Sequence, residues 1–483
     1  MNGNSNQLHL PQPSSGKWWA MLGVGLGVLM YTIDTSIVNI ALPTLVQVFH
    51  TSFATIQWVV LSYLLVVTAL VLGAARLGDM FGKKQLYLGG LVVFTLSSLL
   101  CGLAPGDYWL IGFRALQGLG AVMISALGAA IVTEVFPSSE RGRALGIIGA
   151  VVSLGIALGP TVGGLLIGLS GWRSIFLVNV PIGIFASFVV VRSVPAGKSN
   201  PTKQKFDGLG ALIMTLTLVC FAVGMTAGQN QGFGSIGALA LLAIATLGLI
   251  SFLWVERRIQ QPMLDLGLFR NLQFSLSLLS GLLVFIVIAG VIFIAPFFLE
   301  LVLHYSTQQV GLLLAVSPVL GGIVAPFSGN LSDRFGPRII SLIGLLLMTV
   351  GCLGISTFNA QLTELGYIVR VAPFGIGLGM FQSPNNSAIL GEVPPERLGI
   401  ASGLMSLSRT LGQTTGLSVM GALFAVLTLS QSSAVDVTAA PAEALVFGLQ
   451  RTFRIAAVVL FTAAVLVAFL WRTGGREQKA SSR

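Results

Sequence analysis

Fourteen apolar stretches run along this chain, each close to the roughly 20 residues a helix needs to cross a bilayer. They lie at 18–42, 55–77, 86–104, 108–133, 144–168, 174–194, 208–228, 233–255, 273–299, 308–331, 339–358, 366–390, 400–428 and 450–471. Short polar segments separate them, and none is long enough to be a separate soluble domain. The pattern predicts an all-α polytopic membrane protein. Composition points the same way. Of 483 residues, 54% are hydrophobic and only 9% charged, with a mean hydropathy of +0.91. A soluble protein of this length would need far more surface charge. The first run is too long for a signal-peptide core and is read as a retained span. Cys101, Cys220 and Cys352 all fall inside spans, as small core residues that imply no disulfide framework.

A net charge of +10 raises the question of nucleic acid, and the placement of the charges answers it. With both termini set inside the cell, 20 Lys and Arg fall in cytoplasmic segments or helix ends, and three (Arg173, Arg451, Arg454) fall outside. Arg114, Arg370 and Arg409 lie within spans. This asymmetry is the positive-inside pattern. It accounts for the basic charge with no nucleic-acid partner. It predicts a multi-pass protein of the cell (inner or plasma) membrane with both termini cytoplasmic. The tryptophans at 18, 19, 58, 109, 172, 254 and 471 fall near span ends, as an aromatic belt requires.

An internal repeat organises the chain. ARLGDMFGKK at 75–84 and GNLSDRFGPR at 329–338 keep a small residue, then Leu, Asp, Phe, Gly and a basic residue at equal spacing. Each follows a span and precedes the next on the cytoplasmic side. Repeats at corresponding places in two halves mark transporters, with the substrate path at their interface. Both segments resemble the loop motif of the major facilitator superfamily. The first departs from it at Ala75 and Met80. The second, with Gly329, Asp333, Arg334, Gly336 and Arg338, is closer.

The resemblance implies two six-helix bundles. The surplus pair of spans between them resembles the fourteen-span drug:proton antiporter branch. The expected organisation is a cytoplasmic tail at 1–17, an N-terminal bundle at 18–194 and a linker at 195–207. Two extra spans follow at 208–255, then an interfacial segment at 256–272, a C-terminal bundle at 273–471 and a cytoplasmic tail at 472–483.

Three motifs carry the expected mechanism. GIALGPTVGG at 155–164 puts Gly155, Gly159 and Gly163 on one helix face, where small residues let helices touch backbone to backbone. Pro160 removes a hydrogen bond and permits a bend. Tight packing is the plainer reading; with Gly164 the segment also resembles the antiporter motif of exporters in this superfamily. LIGFRALQGLGA at 110–121 places Arg114, Gln117 and Gly118 in the outer half of span 4. Arginine at that depth faces a cavity or a partner, or snorkels to the interface. The segment resembles the span-4 motif in which arginine is tied to proton transfer.

YTIDTSIVNIALP at 31–43 holds Asp34, an acid well inside a span. It resembles the span-1 motif of the fourteen-span branch. Burial disfavours a charged carboxylate and a nearby cation favours it. Those opposed effects suit Asp34 as the proton site, with Arg114 competing for its charged form. A permanent structural bridge between the two is the alternative.

By the same resemblance, Asp79, Gly82, Lys83, Asp333, Arg334 and Gly336 belong to loops that dock on the opposite bundle and close one access state. The other reading is a solvated loop that only fixes topology. Candidate substrate contacts are Asn39, Gln57, Tyr63, Gln117, Asn385, Arg409 and Gln413. Each is alternatively interhelical glue. Spans 10 and 13 hold no interior carboxylate, which favours monocationic, neutral or anionic amphipathic compounds over dications.

No P-loop, HExxH or His–carboxylate cluster is present in the sequence, so no cofactor, metal site or enzyme activity is expected. The reading is a proton-coupled exporter of amphipathic small molecules such as drugs. A same-fold transporter of one metabolite, siderophore or lipid is the first alternative, and a non-transporting receptor or scaffold the second. The expected partners are substrate, protons and the lipid bilayer, with a periplasmic adaptor in a Gram-negative cell. The expected state is a monomer.

Overall fold

The computed structural model describes residues 14–137, 140–195, 207–259, 264, 266–394 and 397–481, without the side chains at 14–15, 75–76, 79, 142, 398–399 and 470–481. Most of the linker at 195–207, parts of the segment at 256–272 and most of the N-terminal tail therefore lie outside the described residues. Among the described residues, fourteen helices are long and apolar enough to cross a membrane.

The first half contains α1 (Ser14–Phe49), the one-turn α2 (Phe53–Ile56), α3 (Trp58–Phe81), α4 (Lys83–Gly102), α5 (Asp107–Val135), α6 (Arg141–Ser170), α7 (Ser174–Leu177) and α8 (Asn179–Ser193). The second half contains α11 (Leu272–Leu301), α12 (Thr307–Phe335), α13 (Pro337–Ile355), α14 (Glu364–Gly391), α15 (Leu398–Leu429) and α16 (Ala442–Ser481). Between them α9 (Gly208–Gln231) and α10 (Ile236–Glu256) form a hairpin. The protein is thus an all-α polytopic membrane protein of two six-helix bundles with two extra helices between them.

Three spans differ most from expectation, the last because α16 begins at Ala442, eight residues before its predicted start. The first continues to Phe49, seven residues past its predicted end, because Pro43 does not stop it. Packed neighbours can make good the one hydrogen bond a proline removes inside a membrane. The sixth breaks at Val178 into α7 and α8.

The two repeat loops fold alike. Gly82 and Gly336, 254 residues apart in sequence, each form a one-residue joint between successive helices, with φ of +92° and +86°. That left-handed backbone favours glycine. Each N–H closes the preceding helix, on Gly78 O and Ser332 O.

We call the end that carries these loops the basic end. At the opposite end the halves are closed on each other. The Phe53 ring lies 5.0, 4.9 and 5.8 Å from those of Phe293, Phe297 and Phe424. The Phe53 N–H donates to Asp436 Oδ2 at 3.0 Å, and Gln57 Nε2 donates to Leu417 O. On the other flank α6 meets α12 so closely that a Cβ on Gly311 would lie 2.5 Å from Pro160 O.

Towards the basic end that flank opens. Gly146 and Gly149 share a helix face with Pro160, and Gly322 shares one with Gly311. A Cβ at any of the three would meet no atom within 4 Å. The α3–α15 flank stays in contact through Thr68 and Thr414, 3.1 Å apart, as far as Leu72 and Gly403. The α9–α10 hairpin lies over this second flank. Trp58 Nε1 donates to Thr226 Oγ1 at 3.1 Å, Gln229 Nε2 donates to Gln57 Oε1 at 3.2 Å, and α9 also touches α15.

Candidate functional site

Asp34 is fully buried (0% exposed), as is Arg114 (1%). Helix α1 brings the carboxylate against α5, and the broken sixth span brings in a third element. Asp34 Oδ2 accepts from Arg114 Nη1 at 2.6 Å. Oδ1 accepts from Gln117 Nε2 at 2.9 Å and from Asn179 Nδ2 at 3.0 Å. Arg114 also donates through Nε to Val59 O at 3.0 Å and through Nη1 to Gln117 Oε1 at 2.5 Å. Gln117 Nε2 is shared with Ser98 Oγ at 2.8 Å.

The guanidinium lies 4.3 Å from the centre of the Tyr63 ring, a cation–π contact. Tyr63 Oη in turn reaches Thr35 Oγ1 at 3.3 Å. Every group bonded to Asp34 is a donor. Burial of such a pair is tolerable only when its remaining valences are satisfied, and this network satisfies them.

The antiporter-motif glycines of α6 pack on this same stretch of α1. A Cβ on Gly155 would strike Thr32, on Gly159 Ser36, and on Gly163 Ile37 and Ile40. Gly164 faces the other way, with Thr307 O 2.6 Å from its Cβ position. One helix therefore carries two small-residue faces. One is set against α1, the helix of Asp34, and the other against the opposite half.

The remaining expected residues divide. Arg409 and Gln413 lie one turn apart on α15, both partly exposed. Tyr63 and Gln117 belong to the Asp34 network. Gln57 is tied into the closed end. Asn39 donates to Thr35 O at 3.0 Å within its own helix. Asn385, only 5% exposed, sits with its amide beside Gly281 of α11 and within the second half.

At the loops, Lys83 pairs with Glu134 inside the first half, and Arg338 bonds Gln273 inside the second. Asp333 and Arg334 are exposed, and the side chain of Asp79 lies outside the described residues. Sequence reasoning missed Asn179, Ser98 and Thr35. The one signal for Asn179 was an amide two residues before Pro181 in an apolar run, where the span breaks.

Two helical bundles with a repeated loop, meeting about a central axis and closed at one end, define a secondary transporter by fold. The Major Facilitator Superfamily model matches residues 24–417, and the chain belongs to that family. It is a multi-pass membrane transporter of small molecules and not an enzyme. Among curated relatives, the riboflavin transporter RibZ of Clostridioides difficile is 34% identical over 94% of this chain and 98% of its own length. The multidrug resistance protein Stp of Mycobacterium tuberculosis is 35% identical over 84% of this chain and 75% of its own. The tetracenomycin C resistance and export protein of Streptomyces glaucescens is 33% identical over 86% and 78%. Among solved structures, a bacterial homologue of the human lysosomal transporter Spinster, inward-facing and unoccupied, matches with a TM-score of 0.72 at 18% identity. That match covers 95% of this chain and 98% of the other.

Proposed function

We propose that this chain is a proton-coupled exporter, an antiporter that exchanges protons for amphipathic small molecules by alternating access. In this reading it resides in the cell membrane with the basic end and both termini in the cytoplasm, and it works as a monomer. In a Gram-negative cell it would pass its substrate to a periplasmic adaptor. The observation that carries the reading is the sealed Asp34–Arg114 pair, held by donors alone.

Protonating Asp34 removes the counter-charge of a buried guanidinium. Loss of one partner from a buried pair costs about 3–5 kcal/mol. That is roughly a 10²–10⁴-fold bias on any equilibrium coupled to it, since 1.4 kcal/mol is about a factor of ten. Helix α1 is gripped by the α6 glycines, and α6 meets α12, so a rearrangement at Asp34 has a packed route to the inter-bundle seam. In this reading the state open towards the basic end is the one that follows proton release. In the opposite state the loops bearing Asp79, Gly82 and Lys83, and Asp333, Arg334 and Gly336, dock across the halves.

Relatives named for drug resistance and export support a broad substrate range. The riboflavin transporter supports a second reading, a single dedicated substrate. Substrate-dependent proton movement in vesicles tests the coupling. Wild type should use an imposed pH gradient and Asp34→Asn should not. Full gradient-driven transport by Asp34→Asn would refute Asp34 as the proton site. A growth-inhibition panel comparing overexpressing and deletion strains separates many substrates from one.

A further inference from the structure

Helix α15 has three working faces. Gly403, Thr414, Leu417 and Gly421 point at the first half, against Leu72, Thr68 and Gln57. Ser408, Gly412 and Gly416 pack on α11, through Leu278 O, Leu282 O and Ile286 O. Between these two faces, at spacings of four, three and four, run Ser402, Ser406, Arg409 and Gln413. Residues three and four apart share a helix face. Gln413, Arg409 and Ser406 are partly exposed and Ser402 is exposed, so the polar stripe becomes more open towards the basic end.

Arg409 lies eleven residues into a 32-residue helix, about 16 Å along it and near mid-depth. Among the described residues it makes no hydrogen bond or ion pair. Asp34, the acid in the facing helix, is fully engaged by Arg114. An unanswered cation that deep is costly and marks a path or a ligand site. A guanidinium offers a planar fork of donors matched to a carboxylate or similar oxyanion.

We propose that Arg409 is the anion-recognition point of the central cavity, so that the preferred substrates are amphipathic organic anions. This deepens the transporter reading and rests on it. The two arginines then divide the work. Arg114 is neutralised inside the protein, and Arg409 is neutralised by cargo.

The test is equilibrium binding by fluorescence anisotropy to the purified full-length chain in detergent. The probes are fluorescein and rhodamine 123, xanthene dyes of opposite charge, at mildly alkaline pH. The wild type should bind fluorescein about tenfold more tightly or better, the scale of one charge-assisted fork. Arg409→Gln should lose that preference, and Arg409→Lys should keep part of it, as a cation without the planar fork. Equal binding of the two dyes, no fluorescein binding, or a preference that survives in Arg409→Gln would overturn the proposal. So would equal losses in Arg409→Lys and Arg409→Gln, because charge would then not be the determinant. Displacement of fluorescein by phosphatidylglycerol but not phosphatidylcholine would reassign the site to a lipid headgroup and overturn the small-molecule claim. Binding in detergent needs no proton gradient, so a failure of coupling and a failure of anion recognition remain distinguishable.

Discussion

Arg114 and Arg409 lie in opposite halves of the molecule, and their surroundings differ in every respect that matters to a charge. Arg114 is sealed, with a carboxylate, a backbone carbonyl, an amide oxygen and an aromatic face as partners. Arg409 is partly exposed on a polar stripe and has no such partner among the described residues. The first half thus holds a charge neutralised inside the protein. The second holds a charge with no protein counter-charge among the described residues. On the proposed function, that separation would let proton and substrate act on each other through helix movement without occupying the same atoms.

The sharpest way to break that comparison is to remove counter-charges. Asp34→Ala should lower stability by about 3–5 kcal/mol, the typical result of stranding a buried charge. Asp34→Ala combined with Arg114→Met should recover most of the loss. Arg409→Met should not lower stability, because it strands no protein partner. Thermal unfolding of these three variants, and of Arg114→Met alone, in detergent measures all of these. Additive losses in the double variant would mean that the pair is not the isolated unit described here.

Much of this contrast was legible in the sequence. Charges inside apolar runs are rare enough to stand out, so Asp34, Arg114 and Arg409 were found by eye, and the fourteen helices followed from run length alone. Neutral polar residues were harder. Asn179 completes the carboxylate's shell, whereas Asn385 sits inside the second half and Gln57 joins the closed end. An amide serves as network donor, seam tie or ligand contact equally well. Only knowledge of the facing helix decides between them. The Phe53 socket was illegible for a similar reason. Its partners lie about 240 to 370 residues away, and phenylalanine in a span is ordinary.

The next comparison is between a contact within a half and one between halves. A Cβ on Gly120 would lie 2.5 Å from Phe94 N and 2.7 Å from Gly90 O, within the first half. A Cβ on Gly311 would meet Pro160 O, across the seam. Overpacking of this kind costs about 1–3 kcal/mol. Gly120→Ala should therefore lower the unfolding temperature without changing which end is open. Gly311→Ala should barely affect unfolding but should favour the state open at the other end. Spin-label distances across that end, together with melting curves, separate the two. Identical behaviour would mean that the halves do not move as rigid bodies.

One of the polar ties across the closed end can be weakened by a single substitution. Asp436 accepts from the N–H of Phe53 and from the N–H and hydroxyl of Thr438. Asp436→Ala should release about 1 kcal/mol of closure, the net worth of one such hydrogen bond. That corresponds to roughly a fivefold change in the ratio of the two states. The same distance measurement reads it. No shift would assign the closure to the Phe53 socket, the Gln57–Leu417 bond and the α6–α12 packing.

The smallest effect belongs to the basic end. Asp333 is exposed here, and among the described residues it makes no tie to the opposite half. Asp333→Asn should leave the stability of this state within about 0.5 kcal/mol. If the loop docks when the basic end closes, the carboxylate then meets a helix N-terminus of the other half. Such an anion–dipole contact is worth about 0.3–1 kcal/mol. The substitution should therefore lower the basic-end-closed population by no more than about fivefold, with substrate binding in the present state unchanged. Unchanged populations would leave Asp333 as a solvated charge that fixes topology, and the asymmetry between a tightly latched end and a lightly latched one would have to come from packing alone.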